Sequence, residues 1–144
     1  MPDLEKTTTF LARVPLFHNL KKSQVERLGG RVVSRQYKAG QDIVTQGKGG
    51  AGLFVIVSGG AEAVRVRADG TKTVVNTFGP TDFFGELALL DDEPRTASVT
   101  ATEDTDCLVL SQWEFLGSMR EDSEMAIVIL QELAKRFRRT LSVL

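Results

Sequence analysis

Glu86 and Arg95 are the two residues whose chemistry and setting ask for a ligand. They lie in the run Asp82-Phe-Phe-Gly-Glu-Leu-Ala-Leu-Leu-Asp-Asp-Glu-Pro-Arg-Thr-Ala-Ser98. Gly85 permits a tight turn after two apolar aromatics. Glu86 to Leu90 are strong helix formers, enough for a turn or two. Pro94 and its acidic neighbours stop that helix. Free backbone N–H groups around Gly85 to Ala88 then form an anion site. Arg95 adds a planar, permanently charged fork that fits two phosphate oxygens. A carboxylate would repel the same phosphate, so Glu86 must face something else. It accepts hydrogen bonds only, and a sugar hydroxyl suits it. A compact ligand that joins a sugar hydroxyl to an anionic phosphate is a nucleotide.

Phe84-Gly85-Glu86-Leu87-Ala88-Leu89, followed by Pro94-Arg95-Thr96-Ala97, resembles the phosphate-binding cassette of cyclic nucleotide-binding domains. Such domains occur in cAMP-dependent protein kinase, the bacterial catabolite activator protein and cyclic-nucleotide-gated channels. The resemblance is dense in the cassette and looser over nearly the whole chain. It implies that Glu86 takes the ribose 2′-hydroxyl, with Gly85 and Leu87 beside it. It implies that Arg95 takes the exocyclic phosphate oxygens, with the backbone N–H groups of Ala88 and Thr96 completing the cradle. In that family a threonine after the arginine can bond the guanine amino group. Thr96 therefore admits cGMP without excluding cAMP, and cAMP is the expected ligand. The resemblance also makes the last helix a lid whose side chains reach the purine. Phe137, Arg138 and Arg136 are the candidates, with Val74 and Phe83 on the roll side; Phe137 could stack on a base, but its place in the apolar stripe favours core packing.

The elements that must position these residues follow from periodicity. Residues 4–13 read as a short amphipathic helix, broken at Val14-Pro15. A second helix fits 21–28, with Ser23 and Glu26 as a capping box and Gly29-Gly30 as its end. Strand-like runs follow near 31–38, 42–46, 52–58, 61–67, 72–78, 95–101 and 104–111. Leu53 to Val57 is continuous and apolar, so it reads as a buried strand. Asp69-Gly70 between two such runs signals a hairpin. Many short strands with frequent turns argue a closed or rolled all-β unit, and the resemblance implies a β-roll. From 112 the pattern is helical again. Gln112 to Met119 is one helix, and Ser118 with Glu121 reads as the cap of the next, 123–143. There Ala126, Leu130, Leu133, Phe137, Leu141 and Leu144 form one apolar stripe. Phe137 reads as core within it. Acidic residues at the start and basic ones near the end suit the helix dipole.

Other chemistries are excluded or weak. The chain has 144 residues, 42% of them hydrophobic and 26% charged, so it can bury a core as one domain. A net charge of −1 gives no bulk attraction to nucleic acid. The one cysteine, Cys107, excludes an internal disulfide framework and fits a reducing, cytoplasmic setting. It reads as a small core residue. No apolar run approaches a membrane span. His18 is the only histidine, so a histidine-rich metal centre of the cupin kind has no ligand set. Asp91-Asp92-Glu93 reads as a solvated turn, without the glycine-spaced loop of a calcium site. Gly47 to Gly52 lacks the ending of a P-loop. The family resemblance brings only Gly47 near the ligand.

The expected fold is therefore α+β, one domain over 1–144. N-terminal helices span 1–30, an antiparallel β-roll spans 31–111 with the cassette at 82–98, and lid helices span 112–144. The expected function is a cyclic nucleotide-binding regulatory module, not an enzyme, with no cofactor or metal and with cAMP or cGMP as ligand. Ligand would favour packing of the last helix on the cassette, sensed by Leu87, Leu89 and Leu90. Output would pass to an effector domain or a partner protein, and the last helix could pair two copies as a homodimer. The alternatives are an interaction domain with the same roll and an unused pocket, or the sensor part of a regulator of the catabolite-activator type.

Overall fold

Among the described residues of the computed structural model, which are 3–47, 52–86 and 96–143, two short helices precede eight strands and two helices follow them. The order is α1 (Leu4–Leu11), α2 (Lys22–Gly29), β1 (Val33–Tyr37), β2 (Asp42–Val44), β3 (Gly52–Ser58), β4 (Ala61–Val66), β5 (Lys72–Phe78), β6 (Phe83–Phe84), β7 (Ser98–Ala101), β8 (Thr105–Ser111), α3 (Gln112–Glu121) and α4 (Ser123–Ser142). The strands form two four-stranded sheets, ordered β1-β8-β3-β6 and β2-β7-β4-β5. Every pairing is antiparallel. This is the α+β roll with flanking helices that the family resemblance implied and that the turn-rich strand pattern agreed with.

Alternation along β3 divides the interior in two. Leu53 and Val55 join a core with Leu11, Val14, Leu16, Phe17 and Leu28 from the N-terminal segment and Phe115, Met125 and Ile129 from the C-terminal helices. Ile56 joins a second core with Phe84, Cys107, Ala61, Ala63 and Val99, residues drawn from both sheets. Burial of each large side chain contributes about 1.5–3 kcal/mol. The helical layer is thus bonded to the roll by apolar surface, not merely tethered to its ends.

Several local expectations hold. The Asp69-Gly70 turn joins β4 to β5, with Gly70 at φ +86. Thr71 donates to the Asp69 carboxylate from its backbone and its hydroxyl, which holds that carboxyl below its usual range. Cys107 is buried, and burial, with Asp106 nearby, pushes its thiol up to about 11. Such a thiol is a poor nucleophile.

Other expectations need correction. The start of α2 is capped by Gln24, whose side chain accepts from the Lys21 N–H at 2.9 Å; Ser23 and Glu26 do not form the box. Ser118 does not cap α4 either. It is buried inside α3, where its hydroxyl donates to the Glu114 carbonyl. Asp122 caps α4 by accepting from the Met125 N–H at 3.0 Å. The apolar stripe of the last helix is not all core face: Leu133 packs against the core, but Leu130, Phe137 and Leu141 are exposed. Met125 and Ile129 are buried, whereas Leu130 is 60% exposed and Phe137 64% exposed. Phe137 is therefore a surface residue: the helix carries two apolar faces, with Met125, Val128, Ile129 and Leu133 toward the core and Ile127, Leu130, Phe137 and Leu141 outward. Finally, β6 is a strand of two residues, too short for periodicity to reveal.

Gly59 shows how tightly the roll closes. It sits at φ +92, and a Cβ there would stand 2.5 Å from the Asp104 carbonyl oxygen. The same turn is pinned by Thr105, buried, whose hydroxyl accepts from the Gly60 N–H and lies 2.9 Å from the Gly60 carbonyl. Gly59→Ala should lower unfolding stability by about 2 kcal/mol or more in chemical denaturation. An unchanged midpoint would show that the turn can open without cost.

Candidate functional site

The site begins at β6, where two consecutive phenylalanines face opposite sides of one sheet. Phe84 pairs with Phe54 and Phe83 with Val55. The Phe84 ring lies in the roll interior, stacked on Phe54 at 5.2 Å and against Phe78 at 5.1 Å. The Phe83 ring goes the other way, into the helical core. Upstream, Thr81 takes φ +74, a left-handed conformation that costs a β-branched residue of order 1–2 kcal/mol. The turn is held by the Thr81 N–H donating to the Ile56 carbonyl at 2.9 Å and the Gly79 N–H donating to Asp82 at 2.8 Å. Downstream, Gly85 takes φ +95 and turns the chain out of the strand. Glu86 follows at the start of a helical turn, its side chain 16% exposed.

Helix α4 meets this turn through Arg136. Its guanidinium carbon lies 4.4 Å from the centre of the Phe83 ring, a cation–π geometry. A guanidinium nitrogen lies 3.8 Å from a Glu86 oxygen. Arg136 continues the buried face of α4, following Met125, Ile129 and Glu132 at helical spacing. That spacing is the signal in the sequence that could have singled it out from its basic neighbours.

A set of polar contacts fixes α4 on the N-terminal helices. Asp122 accepts from the Gln24 amide at 3.0 Å and from the Arg27 guanidinium at 3.2 Å, besides capping α4. Arg31 donates to Ser118 at 2.6 Å and to Glu121 at 2.7 Å. Asn19 donates at 2.6 Å to Glu132, a carboxylate buried on α4. A buried carboxylate needs such donors. These partners were not foreseen, because they lie close to a hundred residues apart in sequence.

Of the residues singled out from the sequence, Gly85, Glu86, Phe83 and Arg136 come together here. Phe83 is buried beneath Arg136. Arg138 is exposed, and two steps of about 100° set it on the far side of α4 from Arg136. Val74 is exposed on β5, opposite Val64. Thr96 is exposed just before β7. Gly47 has φ +80 with open space where a side chain would be. Leu87, Ala88, Leu89, Leu90, the acidic run 91–93 and Arg95 lie outside the described residues. His18 is exposed and its Nδ1 lies 2.7 Å from the Pro15 carbonyl. Among the described residues no cluster of His, Cys, Asp or Glu could hold a metal ion. No described helix is long and apolar enough to cross a membrane.

An antiparallel double-sheet roll, with a Gly-Glu turn lying under an arginine of its last helix, defines a ligand-sensing β-roll module. The chain belongs to the cyclic nucleotide-binding domain family, which matches residues 34–122. It is 34% identical over 86% of its length to the Cyclic AMP receptor protein of Thermus thermophilus, of which it covers 57%. It is 40% identical over 67% of its length to the cAMP-dependent protein kinase regulatory subunit of Mycosarcoma maydis, of which it covers 18%. The chain thus spans little more than half of one relative and a small part of the other. Its fold is similar to the N-terminal domain of a transcriptional regulator from Streptomyces coelicolor, with TM-score 0.81, 29% identity, and 93% and 94% of the two chains covered. It is also similar to the Catabolite Activator Protein of Thermus thermophilus, with TM-score 0.78, 32% identity, and 89% and 58% covered.

The junction of α3 and α4 offers a test. The Met125 N–H first, then the Gln24 amide and the Arg27 guanidinium, hold the Asp122 carboxyl below its ordinary value of 3.8. A lowered folded pKa means stability that is complete above the ordinary value and lost as pH falls through the folded one. Asp122→Asn should therefore lower the thermal midpoint at neutral pH. Its deficit relative to the parent should shrink in acid. A deficit that stays constant across the acid range would show that the Asp122 charge contributes nothing.

Proposed function

We propose that this module binds a purine 3′,5′-cyclic nucleotide, with cAMP as the principal ligand and cGMP admitted, and reports it through α4. The observation that carries this reading is the Gly85-Glu86 turn, anchored by β6 and facing α4 within a chain of this family. The names of the relatives from Thermus thermophilus and Mycosarcoma maydis support cAMP. Glu86 would accept from the ribose 2′-hydroxyl, flanked by Gly85 and Leu87. Arg95 and the amides of Ala88 and Thr96 would hold the cyclic phosphate. The purine would lie between the roll, on the side of Val74 and Phe83, and the face of α4 that carries Arg136. Arg138, on the other side of that helix, is the weaker candidate.

The module does no chemistry on its ligand in this reading. Ligand acts by favouring one packing of α4 on the cassette over another, through differential affinity for the two. Output then goes to an effector domain or a second protein. The outward face of α4 supports pairing of two copies. Ile127, Leu130, Ala134, Phe137 and Leu141 alternate at spacings of three and four, the period of a coiled-coil seam. No charge interrupts it, and Ile127, Leu130, Phe137 and Leu141 are each more than half exposed. Exposed stripes of this kind on a monomer are uncommon.

Calorimetric titration with cAMP should give saturable binding. Arg95→Ala should weaken it by roughly two orders of magnitude, the value of lost charge-assisted hydrogen bonds. Glu86→Ala should weaken cAMP but leave 2′-deoxy-cAMP unaffected; equal losses for both ligands would contradict its assignment to the ribose. Sedimentation should show a dimer that Leu130→Glu with Phe137→Glu converts to a folded monomer. A parent chain that sediments as a monomer at its highest soluble concentration would remove the seam.

A further inference from the structure

Gln46 bridges two strands that are not neighbours. The order in its sheet is β2-β7-β4-β5, so β7 lies between β2 and β4. Neighbouring strands stand about 4.8 Å apart, which puts β2 and β4 about 10 Å apart wherever β7 separates them. Gln46 follows the last residue of β2 by two. Its carboxamide nevertheless reaches the last residue of β4. The side-chain nitrogen donates to the Val66 carbonyl at 3.0 Å, and the side-chain oxygen accepts from the Val66 N–H at 2.8 Å. The Gln46 backbone N–H donates to the Ser98 hydroxyl at 2.8 Å. One residue thus ties the end of β4 to the start of β7.

The register tells which group the carboxamide replaces. β4 and β7 pair from Ala61↔Ala101 to Val64↔Ser98 and stop there. Two further steps would set Thr96 opposite Val66. Alternate residues of a central strand turn their backbone groups to opposite neighbours. The Arg67 N–H donates to the Thr71 carbonyl, on the β5 side, and the Gly60 carbonyl accepts from Thr102, on the β7 side. Val66, an even step from Gly60 and one before Arg67, therefore turns to the β7 side. Both of its backbone groups there are taken by Gln46. A planar carboxamide offers a donor and an acceptor side by side, so it pairs as a peptide unit would. Thr96 is exposed and lies outside β7.

We infer that Gln46 is a positioning residue for the phosphate: its carboxamide takes the place of residue 96 beside β4 and so keeps the Thr96 N–H out of the sheet, available to the ligand. This rests on the proposed binding of a cyclic nucleotide, in which the Thr96 amide holds the phosphate, and it names the group that makes that amide available. Without Gln46, the open edge at Val66 would draw Thr96 into the ladder. The Thr96 N–H would then donate to the Val66 carbonyl, and the ligand would have to break that bond first.

Amide hydrogen exchange and calorimetry of the full chain test the inference. Gln46→Met keeps the length of the side chain but has no strong donor or acceptor. Its Thr96 amide should exchange about fivefold more slowly than the parent's before ligand is added. Its affinity for cAMP should fall about tenfold, the value of one extra hydrogen bond to break. Gln46→Glu supplies a second reading. Ionised, it cannot donate to the Val66 carbonyl; protonated, it donates and accepts as glutamine does. Its affinity should lie about tenfold below the parent's at neutral pH and return to within about threefold by about pH 4.5, variant and parent being compared at each pH. An unchanged Thr96 exchange rate in Gln46→Met would overturn the inference, since Gln46 would then only stiffen the roll. So would a Gln46→Glu deficit that does not depend on pH. If thermal unfolding shows that Gln46→Met does not fold, the pH dependence of Gln46→Glu decides alone. A parent chain that binds neither cAMP nor cGMP overturns the functional reading instead, while the Thr96 exchange comparison, made without ligand, still tests the role of Gln46.

Discussion

The site depends on one constraint: adjacent side chains in a strand point to opposite faces. Phe83 and Phe84 exploit it. One enters the helical core, the other stacks inside the roll. A chain pinned on both faces cannot slide or rotate, because a shift of one residue would exchange the two rings between the cores. Gly85 leaves this anchor in a conformation that suits glycine. Glu86 is delivered to a fixed place as a consequence. The strained backbone at Thr81, just upstream, is tolerated because the Ile56 and Asp82 contacts hold it on both sides.

The same anchor reaches the helices. Phe83 packs in the core that contains Met125 and Ile129, and its ring carries the guanidinium of Arg136. The helix is fixed at its other end by Asp122, which caps it and binds Gln24 and Arg27. In between, Glu132 is held by Asn19. Movement of α4 away from the cassette would break contacts to the N-terminal helices as well as to Phe83 and Glu86. Specific hydrogen bonds and ion pairs are thus laid over an apolar core shared by the helices and the roll.

Much of this was legible in the sequence. Leu53 to Val57 read as a buried strand because it is a continuous apolar run; Leu53, Val55 and Ile56 are buried, whereas Val57, at the end of the run, is exposed. Asp69-Gly70 read as a hairpin because few other dipeptides fit that turn. Gly85-Glu86 stood out because a carboxylate beside an anion site demands a reason. What escaped were features set by distant partners. The cap of α2 by Gln24 rather than by Ser23 follows from Gln24 also bonding Asp122. Ser118 looked like a cap but is held by Arg31 inside α3. The stripe containing Phe137 was visible, but periodicity alone does not say which apolar face meets the core. The answer lay in Met125, Ile129, Glu132 and Arg136, a mixed face whose polar members find partners only after folding.

Backbone and guanidinium chemical shifts of the isotope-labelled chain, followed during addition of cAMP, test the central claim most directly. A ribose-reading turn facing α4 predicts that the amides of Gly85, Glu86 and Thr96 and the Nε–H of Arg136 shift together and saturate at one ligand per chain. Shifts confined to other surfaces, or no shifts at millimolar cAMP, would contradict it.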